Sequence, residues 1–182
     1  MYLSSFKKNS NGFTLIELLV VVAIIGLLAS IVLASVNSAR LKGDTAKRVS
    51  DLREIQTALE MYYNDYSAYP STPGNAWQSQ CSSWGSFASN AVIPGLVPTY
   101  MPSFPADPTM SGVLSNCYIY RSNGTDYALL DYSLVDVGWV TSMYFQYPAF
   151  LDPEREGGAT TQCGTSSNSW SWKLSSTGGI CW

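Results

Sequence analysis

Histidine occurs nowhere in the 182 residues, and that one gap removes a wide range of chemistry. Without an imidazole there is no Ser-His-Asp or Cys-His nucleophile, no His-ligated metal and no ready general base near neutrality. Carboxylates are the acid–base candidates that remain, and none stands in a recognisable pair. No Walker-type loop or GxGxxG cradles a phosphate. The four cysteines contain no CxxC spacing, which argues against a zinc or dithiol redox centre. Positive charge is scarce in the later chain. Beyond residue 74, Arg121, Arg155 and Lys173 stand against Asp107, Asp126, Asp131, Asp136, Asp152, Glu154 and Glu156. Phosphate binding needs clustered Lys and Arg, so nucleic acid is disfavoured as a partner. Nothing here supports an enzyme.

What the chain does have is an apolar run from Phe13 to about Val36, with a single carboxylate, Glu17, near its head. At 1.5 Å per residue, 24 residues reach membrane-spanning length. An acidic residue costs roughly 2.5–3.5 kcal/mol at the centre of a spanning helix and less near its end. A carboxylate kept there needs a partner. The natural one is a new α-amino group, created if the chain is cut between Gly12 and Phe13. Such a pair across ~4 Å is far stronger in lipid than in water. Matching depth points to a neighbouring subunit as its source.

Gly12-Phe13-Thr14-Leu15-Ile16-Glu17, with Lys7 and Lys8 ahead of it and the apolar run behind, resembles the class III signal of type IV pilins and type II secretion pseudopilins. The resemblance implies a precursor cut after Gly12 by a prepilin peptidase. It also implies methylation of Phe13 and a role for Glu17 in assembly. One departure is Ala34, where many pilins carry a helix-bending proline. An ordinary secretory signal peptide is the competing reading, with Ser35, Ser38 or Ala39 near its cleavage site. A one-pass anchor without a filament is another. Arg40, Lys42, Lys47 and Arg48 beyond the run outnumber the two leader lysines. The positive-inside rule taken alone therefore favours the reverse topology; the resemblance and the cysteines favour an exported head.

After the run, Val49, Leu52, Ile55, Leu59 and Tyr62 recur at spacings of three and four, one stripe of an amphipathic helix. Asp44/Arg48 and Lys47/Asp51 stand four apart and read as surface pairs contributing tenths of a kcal/mol. One helix over about 14–66 is expected, closed by the tyrosine-rich segment before Pro70. Residues 71–98 read as an irregular loop pinned by Cys81. Pro102, Pro105 and Pro108 exclude a helix or central strand. Cys117–Arg121 and Tyr127–Leu130 flank Asn123-Gly124, a hairpin signal. Asn123-Gly124-Thr125 is also a glycosylation sequon, although the turn already accounts for it. Ser169–Leu174 and Ile180–Trp182 read as a second hairpin, with Trp170 and Trp172 on one face and Trp182 able to join them.

Cys81, Cys117, Cys163 and Cys181 all lie in the part expected to be exported, and an even count reads as two disulfides among three possible connectivities. The resemblance favours Cys163–Cys181, closing a C-terminal loop of the kind many pilins carry, with Cys81–Cys117 tying a loop to a strand. No cofactor is expected. Asp126, Asp131 and Asp136 are possible Ca²⁺ ligands, as in some pseudopilin heads, but they lack EF-hand spacing. The aromatic segment Trp139–Phe150 reads as core packing rather than an exposed binding patch.

The expected architecture is α+β and pilin-like: a leader at 1–12, a transmembrane and assembly helix at 13–38, and a head at 39–182. The head includes the amphipathic half of the helix and a small antiparallel sheet. The expected role is a filament subunit of a type IV pilus or a secretion pseudopilus. Its partners would be copies of itself and other pilins, the prepilin peptidase, the inner or plasma membrane and the assembly machinery. The alternative is a membrane-anchored surface binding module that does not polymerise.

Overall fold

The computed structural model describes residues 12–81, 86–87, 92–110, 116–132, 146–156, 163 and 170–182. It has the α+β build expected: one long N-terminal helix and one small, mainly antiparallel sheet. Helix α1 (Leu15–Tyr66) has 52 residues. The chain divides into two units, residues up to Leu41 and residues from Lys42 to Trp182.

In the first unit every residue from Gly12 to Arg40 is exposed. Its large apolar side chains run from Phe13, 87% exposed, to Val36, 42% exposed. Among the described residues of this unit, nothing packs over this half of the helix.

In the second unit α1 buries Thr45, Arg48, Asp51, Leu52, Ile55, Ala58 and Leu59. These positions recur at three and four, so the stripe is real, but it is shifted from the one expected. Val49 and Tyr62 lie at its margins, half-buried. Leu52, Ile55 and Leu59 are fully buried, and side chains of this kind contribute about 1.5–3 kcal/mol each. The helix ends before Pro70. Ser67 adopts φ 54°, and its N–H donates to the Tyr63 carbonyl at 2.7 Å. A left-handed residue after the last turn is a common helix terminator, usually glycine.

Among the described residues six strands follow: β1 (Gln78–Ser79), β2 (Ser86–Phe87), β3 (Cys117–Ser122), β4 (Tyr127–Tyr132), β5 (Leu151–Glu156) and β6 (Trp170–Ser175). Their order in the sheet is β2-β1-β3-β4-β6-β5. Among the described residues only the two-residue β1–β2 pairing is parallel. The β3–β4 hairpin runs from Cys117↔Tyr132 to Ser122↔Tyr127. Its loop is an Asn-directed turn: Asn123 Oδ1 accepts from the N–H groups of Thr125 at 2.9 Å and Asp126 at 2.8 Å. Gly124 takes φ 92° there, a conformation glycine adopts without strain.

Because strand side chains alternate, the register sorts the core into two faces. Tyr118, Tyr120, Leu129, Asp131 and Trp172 share the face that meets α1: Tyr118 Oη donates to Asp51 at 2.9 Å. On the opposite face Cys117, Ile119, Ala128 and Leu130 pack with Cys81, and Trp77, Met110, Tyr132 and Trp182 cover them. Disulfides join Cys81 to Cys117 and Cys163 to Cys181.

Several details differ from the sequence expectations. The segment read as an irregular loop contributes β1 and β2 to the sheet. The tail is not a hairpin: β6 pairs with β4 and β5, and a 3₁₀ turn over Thr177–Gly179 leads into Ile180–Trp182. Asp126 imposes that turn, accepting from Ser176 Oγ at 2.7 Å and Gly178 N–H at 3.0 Å. Any Cβ on Gly179 would overlap the Tyr127 carbonyl. Trp182 therefore lies on the face opposite Trp172, stacked under Arg121 at 4.9 Å, and does not join it. Strand β5, with Pro153 inside it, has no expectation to match; it sits at a sheet edge, where proline is tolerated. Phe150 is buried and packs with Tyr147 and Trp172. The remaining aromatics of that segment, Trp139, Tyr144 and Phe145, lie outside the described residues, as does the leader up to Asn11.

Candidate functional site

The start of α1 is built by a reciprocal cap. Thr14 precedes the first helical residue, Leu15, and its Oγ1 accepts from the Glu17 N–H at 3.3 Å. Glu17 reaches back: its Oε2 accepts from the Thr14 N–H at 2.8 Å and from Thr14 Oγ1 at 2.7 Å. This is a capping box, which satisfies two backbone donors at a helix N-terminus. Thr-x-x-Glu is its sequence signal, present at Thr14–Glu17 and overlooked beside the cost of an acid in lipid. Glu17 thus has a structural partner in its own chain. Both bonds use one oxygen, Oε2.

Gly12 and Phe13 lie just outside the cap and are exposed. A Cβ on Gly12 meets nothing within 4 Å, so the fold itself does not require glycine at this position. The same holds for Gly26, although glycine inside a helix costs about 1 kcal/mol relative to alanine. Among the described residues, α1 alone is long and apolar enough to cross a membrane.

The head holds two groups of buried charges that sequence reading missed. On the helix side Arg48 does not pair with Asp44. Its Nε donates to Asp107 Oδ2 at 2.5 Å, its Nη2 to Thr109 Oγ1 at 2.8 Å, and Asp131 Oδ2 lies 3.3 Å from Nε. Burial works against the charge on Arg48, but the Asp107 hydrogen bond and the Asp131 charge outweigh it, and its pKa is raised. The Lys47–Asp51 pair does form. On the other face Asp152 is fully buried. It accepts from Ser171 Oγ at 2.6 Å and from Arg155 Nη1 at 3.1 Å, with Lys173 Nζ 3.5 Å away. Lys173 also donates to the carbonyls of Ile180 at 2.8 Å and Trp182 at 2.9 Å, fastening the tail. Burial, the leading influence, lowers its pKa.

The carboxylates considered for Ca²⁺ have separate partners. Asp126 serves the tail turn, Asp131 faces Arg48, and Asp136 lies outside the described residues. Among the described residues no group of three or more acidic, Cys or His side chains is placed to hold a metal.

The model of the prokaryotic N-terminal methylation motif matches residues 7–33. Type II secretion system core protein G of Aeromonas hydrophila is 42% identical over 66 residues, 36% of this chain and 46% of that protein. The core protein G of Pectobacterium carotovorum subsp. carotovorum is 46% identical over 64 residues, 35% of this chain and 41% of that protein. For Escherichia coli strain K12 the identity is 44% over 64 residues, 35% of this chain and 44% of that protein. The chain spans less than half the length of these curated relatives. No solved structure matches it. The likeness thus lies in the N-terminal region, and there the chain carries the prepilin-type methylation motif seen in its resemblance to pilins and pseudopilins.

Proposed function

We propose that the chain is made as a prepilin, cut between Gly12 and Phe13, and held in the inner or plasma membrane by residues 13–38. It then polymerises through that helix into a pseudopilus-type filament, with residues 39–182 as a head outside the cytoplasm. The observation that carries this reading is the bare apolar half of α1, which begins inside the stretch matched by the methylation motif. That surface needs lipid or other helices to cover it. Gly26, free of any packing reason in a single copy, suits close helix–helix approach. The secretion-system relatives favour a pseudopilus over an extracellular pilus. Two disulfides suit an oxidising compartment. Partners on this reading are other pilin subunits, the prepilin peptidase and the assembly machinery. The role is structural, without cofactor or catalysis.

Mass spectrometry of the protein from membranes is expected to find an N-terminal methylated Phe13. An N-terminus just beyond Ser35 or Ala39 would replace this reading with an ordinary signal peptide. One observation favours the non-polymerising anchor: Glu17 already has a partner in Thr14.

A further inference from the structure

The contact between α1 and the sheet gathers three carboxylates, Asp51, Asp107 and Asp131, around two cations, Arg48 and Lys47. Two of the acids are well supplied with donors. Asp51 Oδ2 takes Lys47 Nζ and Tyr118 Oη. Asp107 takes Arg48 Nε and Nη2, the Thr109 N–H at 2.7 Å and Thr109 Oγ1 at 2.6 Å. Asp131 differs. It is fully buried, and neither of its oxygens accepts a hydrogen bond. The Arg48 Nε that lies 3.3 Å away has its hydrogen directed at Asp107. Its cross-strand neighbours are Tyr118 on β3 and Trp172 on β6.

A buried carboxylate with no donor carries the full penalty of its lost hydration. The protonated acid is neutral and avoids most of that penalty. We propose that Asp131 binds a proton in the folded head at neutral pH, making the helix–sheet junction a proton-binding site that links head stability to pH. The groups facing it are Lys47, Arg48 and Asp51 from α1, Asp107 from the segment before β3, and Tyr118 from β3. Burial pushes Asp131 well above the ordinary carboxylate range and Asp107 adds to this, with Arg48 opposing. In the unfolded chain Asp131 titrates near the ordinary value of about 3.9. Between that value and its folded one, the folded state binds the extra proton. The stability it contributes is therefore complete below the unfolded pKa and is lost as pH rises through the folded one. The folded-to-unfolded ratio falls about tenfold per pH unit in that window.

The full chain in detergent micelles, labelled with carboxyl-¹³C aspartate, tests this by infrared spectroscopy alongside thermal unfolding followed by Trp fluorescence. The wild type is expected to show a protonated aspartic acid band at neutral pH, absent from Asp131→Asn. Its unfolding midpoint should fall as pH is raised, while Asp131→Asn, fixed in a neutral form, keeps a flatter profile and surpasses the wild type at alkaline pH. Absence of the band in the wild type at neutral pH overturns the proposal. So does an Asp131→Asn profile that parallels the wild type or lies below it throughout. If the variant does not fold, the presence or absence of the wild-type band decides alone.

Discussion

Arg48 occupies a buried helix position and donates to Asp107 through both Nε and Nη2, so removing it strands a buried carboxylate. Breaking a buried ion pair by deleting one partner typically costs about 3–5 kcal/mol. Arg48→Ala is expected to lose stability of that order in a denaturant titration of the full chain in micelles. Lys47→Ala should lose about 0–1 kcal/mol, because exposed pairs are screened and the Lys47 side chain is 47% exposed. Equal losses for the two would show that Arg48 is no more than a surface partner. Half of this was legible beforehand. Thr45, Arg48, Leu52, Ile55 and Leu59 keep a three-and-four spacing, which places Arg48 on the buried stripe. The pairing rule for residues four apart assigned it to Asp44 instead, because that rule cannot see Asp107, 59 residues away. The Thr14 cap is the opposite case: its signal, Thr-x-x-Glu, is local, but the same Glu17 is also an acid in an apolar run, and that cost hides its place in the cap.

At the scale of elements, α1 and the β3–β4 hairpin were readable because each obeys a short-range rule: helical periodicity for one, Asn-Gly between alternating apolar residues for the other. Strand β5 was not, since its sequence Leu-Asp-Pro-Glu-Arg-Glu carries no apolar alternation. Asp152, held by Ser171 and Arg155, takes the place of an apolar anchor. The tail misled for a related reason, because Asp126, 52 residues before Gly178, directs that turn. The end of α1 gives a clean test. Ser67 holds φ 54°, and a side-chain-bearing residue in the left-handed region is disfavoured by roughly 1–2 kcal/mol. Ser67→Gly should remove much of that strain and raise the unfolding midpoint; Ser67→Val should lower it. A lower midpoint for the glycine variant would place the helix end elsewhere. The Cys81–Cys117 bridge, across 36 residues of chain, ties the segment around β1 to β3. Cys117→Ser is expected to cost about 2–4 kcal/mol, read as an earlier midpoint than that of the oxidised protein. No change on substitution would mean that the hydrophobic cluster around Ile119 and Leu130 holds that edge unaided.

For the whole molecule the choice is between a subunit that polymerises and an anchor that stays single, which filament yield separates, while Glu17 variants show what its carboxylate does. Its carboxylate has two possible duties. One is the cap, in which it accepts from the Thr14 N–H and hydroxyl. The other, on the proposed reading, is to meet the cationic Phe13 terminus of a neighbouring copy in a low-dielectric setting, where opposite charges attract far more strongly than in water. Glutamine can replace glutamate in a capping box, so Glu17→Gln keeps the first duty and loses the second, whereas Glu17→Ala loses both. Neither change should prevent cutting after Gly12 or membrane insertion, since each makes the apolar run less costly to place in lipid. If the charge serves assembly, both variants should yield far fewer filaments than the wild type by electron microscopy at equal membrane levels. If Glu17 only caps its own helix, Glu17→Gln should match the wild type while Glu17→Ala falls. That second pattern would remove the intersubunit pair but leave polymerisation in place; a wild type that forms no filaments would turn the reading toward an anchored head that does not polymerise.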